Sequence, residues 1–396
     1  MQKERHTVNE TFAIVLAAGL GTRMKSSIHK VLHPLCGKPM IRHVTDSLRG
    51  AGVGRLLVVV GAYAEQIEQE LGAEAEYVRQ ARQLGTGHAV LQAREAIGGL
   101  EGHTLVCYGD TPLVTSHTYR SLLNAHRESG AAVTMLTAAV DNPSGFGRIV
   151  RDEAGEVARI VEEKDASAEE KRIKEINPGL YCFSNSVLFQ ALDRVQNKNS
   201  QREYYLTDCI RIVKEMGLSV QSLLVADAHE VLGINDRVQL AQLNRVLRNQ
   251  INELHMKNGV TLIDPNTTYL DITVRIGEDT VIGPGVTISG LTSIGKGCRI
   301  GAGTEIESST LGERVAVHHS VVRESIIADD ASIGPFAFIR PNSVIGEGAK
   351  VGDFVEVKNS NIGAGTKIPH LAYVGDSDIG QNTNIGCGAI TVNYDA

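Results

Sequence analysis

From residue 259 onward an isoleucine, valine or leucine recurs every six residues, commonly followed by glycine: Ile276-Gly277, Ile282-Gly283, Ile288, Ile294-Gly295, Ile300-Gly301 and Ile306. The pattern is plain again at Ile333-Gly334, Ile339, Ile345-Gly346, Val351-Gly352 and Val357. It slips by one residue at Ile362-Gly363, then resumes at Ile368, Val374, Ile379-Gly380 and Ile385-Gly386. An apolar period of six sustained over so long a stretch marks a parallel β-helix, whose inward side chains stack coil upon coil. Glycine lets the backbone turn each corner.

The chain has 396 residues, more than one ordinary core, and its first part has a different texture. Short apolar runs at Phe12–Gly19, Arg55–Ala62, His103–Asp110 and Ala131–Val140 alternate with helix-like stretches such as Met40–Gly50. This rhythm predicts βαβ units and a parallel sheet covered by helices. Ligands of such sheets bind at the carboxyl edge, where these runs end in small or acidic residues. Asn235–Lys257 is charged and apolar at helical spacing, without internal glycine or proline, and reads as one connecting helix. The expected organisation is therefore residues 1–234, a linker helix 235–257, and a solenoid 258–396.

Lysine plus arginine number 39 against 46 aspartate plus glutamate, a net charge of −7. That excludes a surface attracting nucleic acid over its whole extent, and any phosphate site must be a local basic cluster. The opening MQKERHTVNE is polar, and no run of 18 apolar residues follows, so neither a signal peptide nor a membrane span is expected. A cytoplasmic protein without a membrane partner is the consequent expectation. Six cysteines are scattered without a C-x-x-C pair, which favours reduced packing residues over a disulfide framework or zinc site.

The first apolar run leads into LAAGLGTRM, Leu16–Met24, followed by Lys30. Small residues let backbone N–H groups approach a phosphate, and Arg23 and Lys30 add charge where a triphosphate would lie. Alone, such a turn is weak evidence. The dinucleotide fingerprint G-x-G-x-x-G fails here: Met24 occupies the third glycine position, and no acidic residue closes the second run, which ends VVVGAY. A dehydrogenase is disfavoured.

LAAGLGTRM with KVLHPLCGKPM resembles the opening signature of sugar-1-phosphate nucleotidyltransferases. QARQLGTGHAV, CYGDTPL, GFGRIV, IVEEKDA, EINPGLY and GINDR, together with the solenoid, narrow the resemblance. They are similar to the bifunctional N-acetylglucosamine-1-phosphate uridylyltransferase/glucosamine-1-phosphate acetyltransferase family, over essentially the whole chain from Phe12 to Asp395. The implied fold is α/β plus all-β: a Rossmann-like nucleotidyltransferase domain, a linking helix and a left-handed parallel β-helix of hexapeptide repeats with three faces per coil. The implied first reaction joins UTP to N-acetylglucosamine-1-phosphate, giving UDP-N-acetylglucosamine, a precursor of peptidoglycan and other envelope polysaccharides, and pyrophosphate.

Such a transfer needs two anions positioned and their charge neutralised. Magnesium takes oxygen ligands and usually only one or two from protein. By the resemblance, Asp110 and Asn235 are the metal ligands, and Arg23 and Lys30 screen the triphosphate. Leu16, Ala17, Ala18 and Gly19 form the nucleotide loop; Gln80, Gly85 and Thr86 hold uracil; Tyr108 and Gly109 line the cleft. Gly147, Glu162 and Asn177 contact the sugar, where a carboxylate and an amide suit hydroxyl and acetamido groups. His29 stands where many relatives have proline, a change expected to alter loop stiffness more than chemistry.

In the solenoid, FAFIRP, FVEVKN, IPHLAYVGD and NTNIGCGAITVNYD look like the family's acetyltransferase site. His370 is the implied general base that deprotonates the amine of glucosamine-1-phosphate for attack on acetyl-CoA. Arg340 and Lys358 are the implied phosphate ligands, and Tyr373 and Asn384 the sugar ligands. Cys387, Asn393 and Tyr394 match cofactor-proximal positions. His318 and His319 match nothing and are expected to be surface. Relatives continue beyond ITVNYD with further coils and a tail, so intact uridylyl transfer with weak or absent acetyl transfer is expected of this polypeptide. A homotrimer with sites between subunits is implied as well. Two other readings stay open: a nucleotidyltransferase for another sugar or base whose solenoid only assembles or regulates, and a noncatalytic sugar-nucleotide binder.

Overall fold

In the computed structural model, which describes residues 10–393, every residue of the strand Glu10–Ala17 after the first is buried. That is the signature of a parallel strand covered on both faces. It pairs in parallel with Arg55–Val60 on one side and Gly102–Tyr108 on the other, and Glu76–Arg79 extends the set beyond Arg55–Val60. Its side chains alternate between two cores, Phe12, Ile14 and Leu16 in one and Ala13, Val15 and Ala17 in the other. The helix Ser116–Ser129 covers the second core with Tyr119, Leu122 and Leu123. Asp208–Glu215 covers the first with Cys209, Ile210, Ile212 and Val213. Each such large side chain stabilises by roughly 1.5–3 kcal/mol.

The sheet is mixed rather than wholly parallel. Tyr181–Ser184 inserts antiparallel between Gly102–Tyr108 and Val133–Ala139. The latter run therefore points the same way as its predecessors without being hydrogen-bonded to them, a correction to the expected continuous parallel set. Tyr181, Cys182 and Phe183 are at most 1% exposed, so this strand fills a central slot that local sequence does not distinguish from any other. Beyond it, Glu175–Asn177, Gly147–Arg151 and Val157–Val161 continue antiparallel, while Val220–Leu224 pairs in parallel with Val133–Ala139.

The chain divides into two compact units, Met1–Pro34 with Pro39–Leu243, and Leu35–Lys38 with Asn244–Ala396. The long helix spans Arg237–Lys257. Its start is fixed by Asp236, whose Oδ1 accepts the Gln239 N–H at 2.8 Å, while Gln239 Oε1 accepts the Asn235 N–H at 2.7 Å. Asn235 is thereby kept out of the helix.

The second unit carries three seven-stranded parallel sheets, the arrangement of a left-handed parallel β-helix. One inward row, Ile282, Ile300, Val317, Ile333, Val351 and Ile368, is at most 1% exposed. The stack is unbroken between Ile306 and Ile333, where the inward residues are Leu311, Val317, Val322 and Ile327. Several sides there are five residues long, and their corners are turned by the left-handed residues Ser308, His319 and Glu324 at φ 46°, 43° and 42°. Among the described residues, no helix is long and apolar enough to cross a membrane.

Candidate active sites

The carboxyl ends of Glu10–Ala17, Glu76–Arg79 and Gly102–Tyr108 open onto a cavity of about 350 Å³. Leu16, Ala17, Ala18, Gly19, Lys30, Gln80, Gly85, Thr86, Tyr108, Asp110 and Asn235 all line it. Gly21 makes the loop possible: its φ is 61°, and an added Cβ would lie 2.6 Å from Lys30 Cβ. Gln80 donates from Nε2 to Gly85 O at 3.1 Å, leaving its Oε1 for a ligand. Gly109 lies behind the wall, donating to Leu16 O at 3.0 Å. Arg23 is exposed on the 3-10 turn Thr22–Met24 and lines no described cavity.

Gly147, Glu162 and Asn177 line a neighbouring cavity of about 190 Å³, which shares Tyr108, Asp110 and Asn235 with the first. Burial raises the Glu162 carboxyl above its usual range, opposed by the Thr207 hydroxyl, which donates to Oε1 at 3.0 Å. Asn177 Oδ1 accepts the Gly179 N–H at 3.1 Å and its Nδ2 donates to Tyr181 Oη at 2.7 Å, which fixes the amide. At the wall between the cavities, the Lys30 ammonium donates to Asp110 Oδ2 and, at 3.2 Å, to Asn235 Oδ1. Two oxygens thus converge on one cation. No group of three or more His, Cys, Asp or Glu side chains placed to hold a metal ion occurs among the described residues.

On the solenoid, Lys350–Asp353 pairs in parallel with Lys367–His370, setting Asp353 opposite His370. Gly352 permits this approach, since an added Cβ would lie 1.9 Å from Pro369 O. Asp353 Oδ1 lies 2.7 Å from His370 Nδ1, and this contact holds the carboxylate below its ordinary range. Arg340 pairs with Glu356 at 2.8 Å, and Lys358 with Asp376 at 3.4 Å. Asn393 donates to Tyr373 Oη at 3.1 Å and also to Asp376, so Lys358, Tyr373 and Asn393 share one network. Asn384 bridges to Lys367, Cys387 is exposed, and Tyr394 lies outside the described residues. His319 is tied into an aromatic pair with Phe336, ring centroids 4.9 Å apart.

Residues 13–206 match the MobA-like NTP transferase domain, and 264–339 and 322–393 match the GMPPB C-terminal domain. The chain is 51% identical to "Bifunctional protein GlmU" of Enterococcus faecalis over 97% of its own length and 84% of that protein's. The same-named protein of Geobacillus thermodenitrificans is 52% identical over the same shares. That of Listeria monocytogenes is 50% identical over 98% of this chain and 85% of its own. The chain belongs to the GlmU family. Within this GlmU-family chain, the motifs missed Thr207, which orients Glu162, and Asp353, which faces His370. For Asp353 the available signal was its place one coil before the histidine.

Proposed function

We propose that this chain transfers UMP from UTP to N-acetylglucosamine-1-phosphate in its first unit and acetylates glucosamine-1-phosphate from acetyl-CoA in its second. The observation that carries the first reaction is the convergence of Lys30, Asp110 and Asn235 on the wall shared by two cavities. One cavity suits the nucleotide, the other the sugar, and the reacting phosphates meet between them. A sugar-phosphate oxygen attacks the α-phosphorus of UTP while pyrophosphate leaves, with Lys30 and Arg23 neutralising charge on the triphosphate. Glu162 and Asn177 orient the sugar.

A magnesium ion would fit the donor set, because Asp110 and Asn235 already offer two oxygens to one cation, and magnesium usually takes only one or two ligands from protein. When bound, it supplies charge neutralisation for the α-phosphate and the departing pyrophosphate. In the second reaction His370 takes the proton of the substrate amine as the amine attacks the thioester, and coenzyme A departs as the thiol. Arg340 and Lys358 hold the phosphate, Tyr373 and Asn384 the sugar, and Cys387 and Asn393 lie near acetyl-CoA. The reading includes a cytoplasmic homotrimer.

The test is pyrophosphate release with UTP, magnesium and N-acetylglucosamine-1-phosphate, beside ATP, glucose-1-phosphate and the Asp110→Asn variant. Release confined to the first pair and lost in the variant supports the assignment. Silence on that pair with turnover on another transfers it to a different sugar nucleotide.

A further inference from the structure

The loop after the first strand leaves the amides of Gly19 and Leu20 without hydrogen-bond acceptors among the described residues. Both residues are exposed, Gly19 at the rim of the cavity, so two successive N–H groups with no acceptor among the described residues are open to an anion. Their carbonyl neighbours, by contrast, are both gripped. Gln83 donates from Nε2 to Ala18 O at 2.7 Å, and His29 Nε2 lies 2.8 Å from Gly19 O. In a trans peptide the N–H points opposite to the C=O, so holding the Ala18 and Gly19 carbonyls sets the directions of the Gly19 and Leu20 N–H groups.

His29 is built to hold such a position. It is 3% exposed, its ring leans on Tyr63 with centroids 5.6 Å apart, and its own N–H donates to Gln66 Oε1 at 2.9 Å. Because Gly19 O can only accept, Nε2 carries the proton, and Nδ1 accepts the Val31 N–H at 3.4 Å. Burial lowers the imidazole pKa, with Lys30 and His33 acting the same way and Gly19 O and Asp110 against it, which suits the neutral ring this bonding requires. His29 therefore ties the loop to the segment that begins with Lys30.

We propose that His29 is a positioning residue for the nucleotide triphosphate: it fixes the Gly19–Leu20 peptide so that its amide, beside Lys30, receives a phosphate oxygen. This rests on the uridylyltransferase reading and adds to it a role for a residue expected to alter loop stiffness more than chemistry.

The test compares the parent chain with His29→Phe, which keeps a ring against Tyr63 but no donor, and His29→Gln, whose amide can still donate to Gly19 O. In steady-state uridylyl transfer with magnesium, His29→Phe should raise KM for UTP about ten- to hundredfold, the range of hydrogen bonds to a charged group. KM for N-acetylglucosamine-1-phosphate should stay within about twofold, and His29→Gln should recover most of the loss. A KM for UTP unchanged in His29→Phe, or equal losses in both variants, overturns the proposal. Calorimetric titration with UTP and magnesium reads the same ratio without turnover. A parent that binds UTP yet releases no pyrophosphate sinks the transfer reading, and the ratio of affinities still decides the role of His29.

Discussion

Asp353 Oδ1 and His370 Nδ1 lie 2.7 Å apart on directly opposed positions of adjacent coils. A carboxylate accepting Nδ1–H fixes the tautomer in which Nε2 holds the lone pair, and it stabilises the imidazolium formed when Nε2 takes a proton. We expect Asp353→Ala to lower kcat for acetyl transfer by about 10²-fold, within the range of general-base contributions. Asp353→Asn should fall between, and pyrophosphate release should keep the parent rate. Coenzyme A thiol release, followed against pH, checks this. An acetylation rate equal to the parent's in Asp353→Ala would show that the pair is only a surface ion pair.

Lys30 occupies the point on which Asp110 and Asn235 converge. Replacing it with methionine removes the cation that the proposed reading sets against the triphosphate and also frees two oxygens for a metal. Turnover should drop about 10²–10³-fold, as when one preorganised charge-stabilising group is removed. Binding of manganese as a probe for magnesium, read by spin resonance without nucleotide, should tighten. Weaker manganese binding in Lys30→Met would contradict the shared position.

Glu162 is a carboxyl whose burial raises its pKa. Its native pKa lies above its unfolded one, so its contribution to stability is present below the unfolded value and is lost as pH rises through the native value. Glu162→Gln should therefore melt no lower than the parent at neutral pH while KM for N-acetylglucosamine-1-phosphate rises about tenfold or more, the loss of a hydrogen bond to a charged acceptor. Melting curves and KM on the same preparation test both halves. A large fall in melting temperature would reassign Glu162 to a structural role.

His126 is 1% exposed, holds Thr134 Oγ1 at 3.1 Å and meets His103 edge-on. Burial lowers its pKa from 6.5 to about 4. Here the unfolded chain binds the proton first, so stability present above pH 6.5 declines on acidification until the native pKa is reached. The whole loss is on the order of 3 kcal/mol. Urea midpoints at several pH values between 7.5 and 4.5 should fall less steeply for His126→Gln than for the parent. Parallel curves would place the acid sensitivity elsewhere.

The inward rows of the solenoid were legible because burial repeats where the backbone repeats, and Ile282, Ile288, Ile294 and Ile300 each sit where the six-residue period puts them. Leu311, Val322 and Ile327 escaped it because a corner can be turned with one residue fewer, which moves the next inward position without ending the coil. Tyr181–Ser184 was hidden for another reason: which strand fills a central slot is decided by packing across the sheet, not by the composition of the strand. The residues that line the cavity at the carboxyl edge of the sheet were readable as motifs, since most follow directly on strands. His29, Gln83 and Thr207 act through single bonds to backbone or carboxylate, and no spacing rule announces those.

The tetrad Leu35–Lys38 belongs with the second unit although it lies within the stretch of chain that builds the first. Cys36 N–H donates to Asn244 Oδ1 at 2.9 Å, and Ile272 N–H donates to Cys36 O at 3.1 Å. The heritable module is therefore not a contiguous stretch of coding sequence. A recombination that exchanged one solenoid for another at residue 243 would import a new Asn244 and Ile272 while keeping the old tetrad. Because Cys36 and Ile272 bond through backbone groups, the exchange keeps these bonds only where the incoming segment carries an asparagine at 244 and a non-proline residue on the same path at 272.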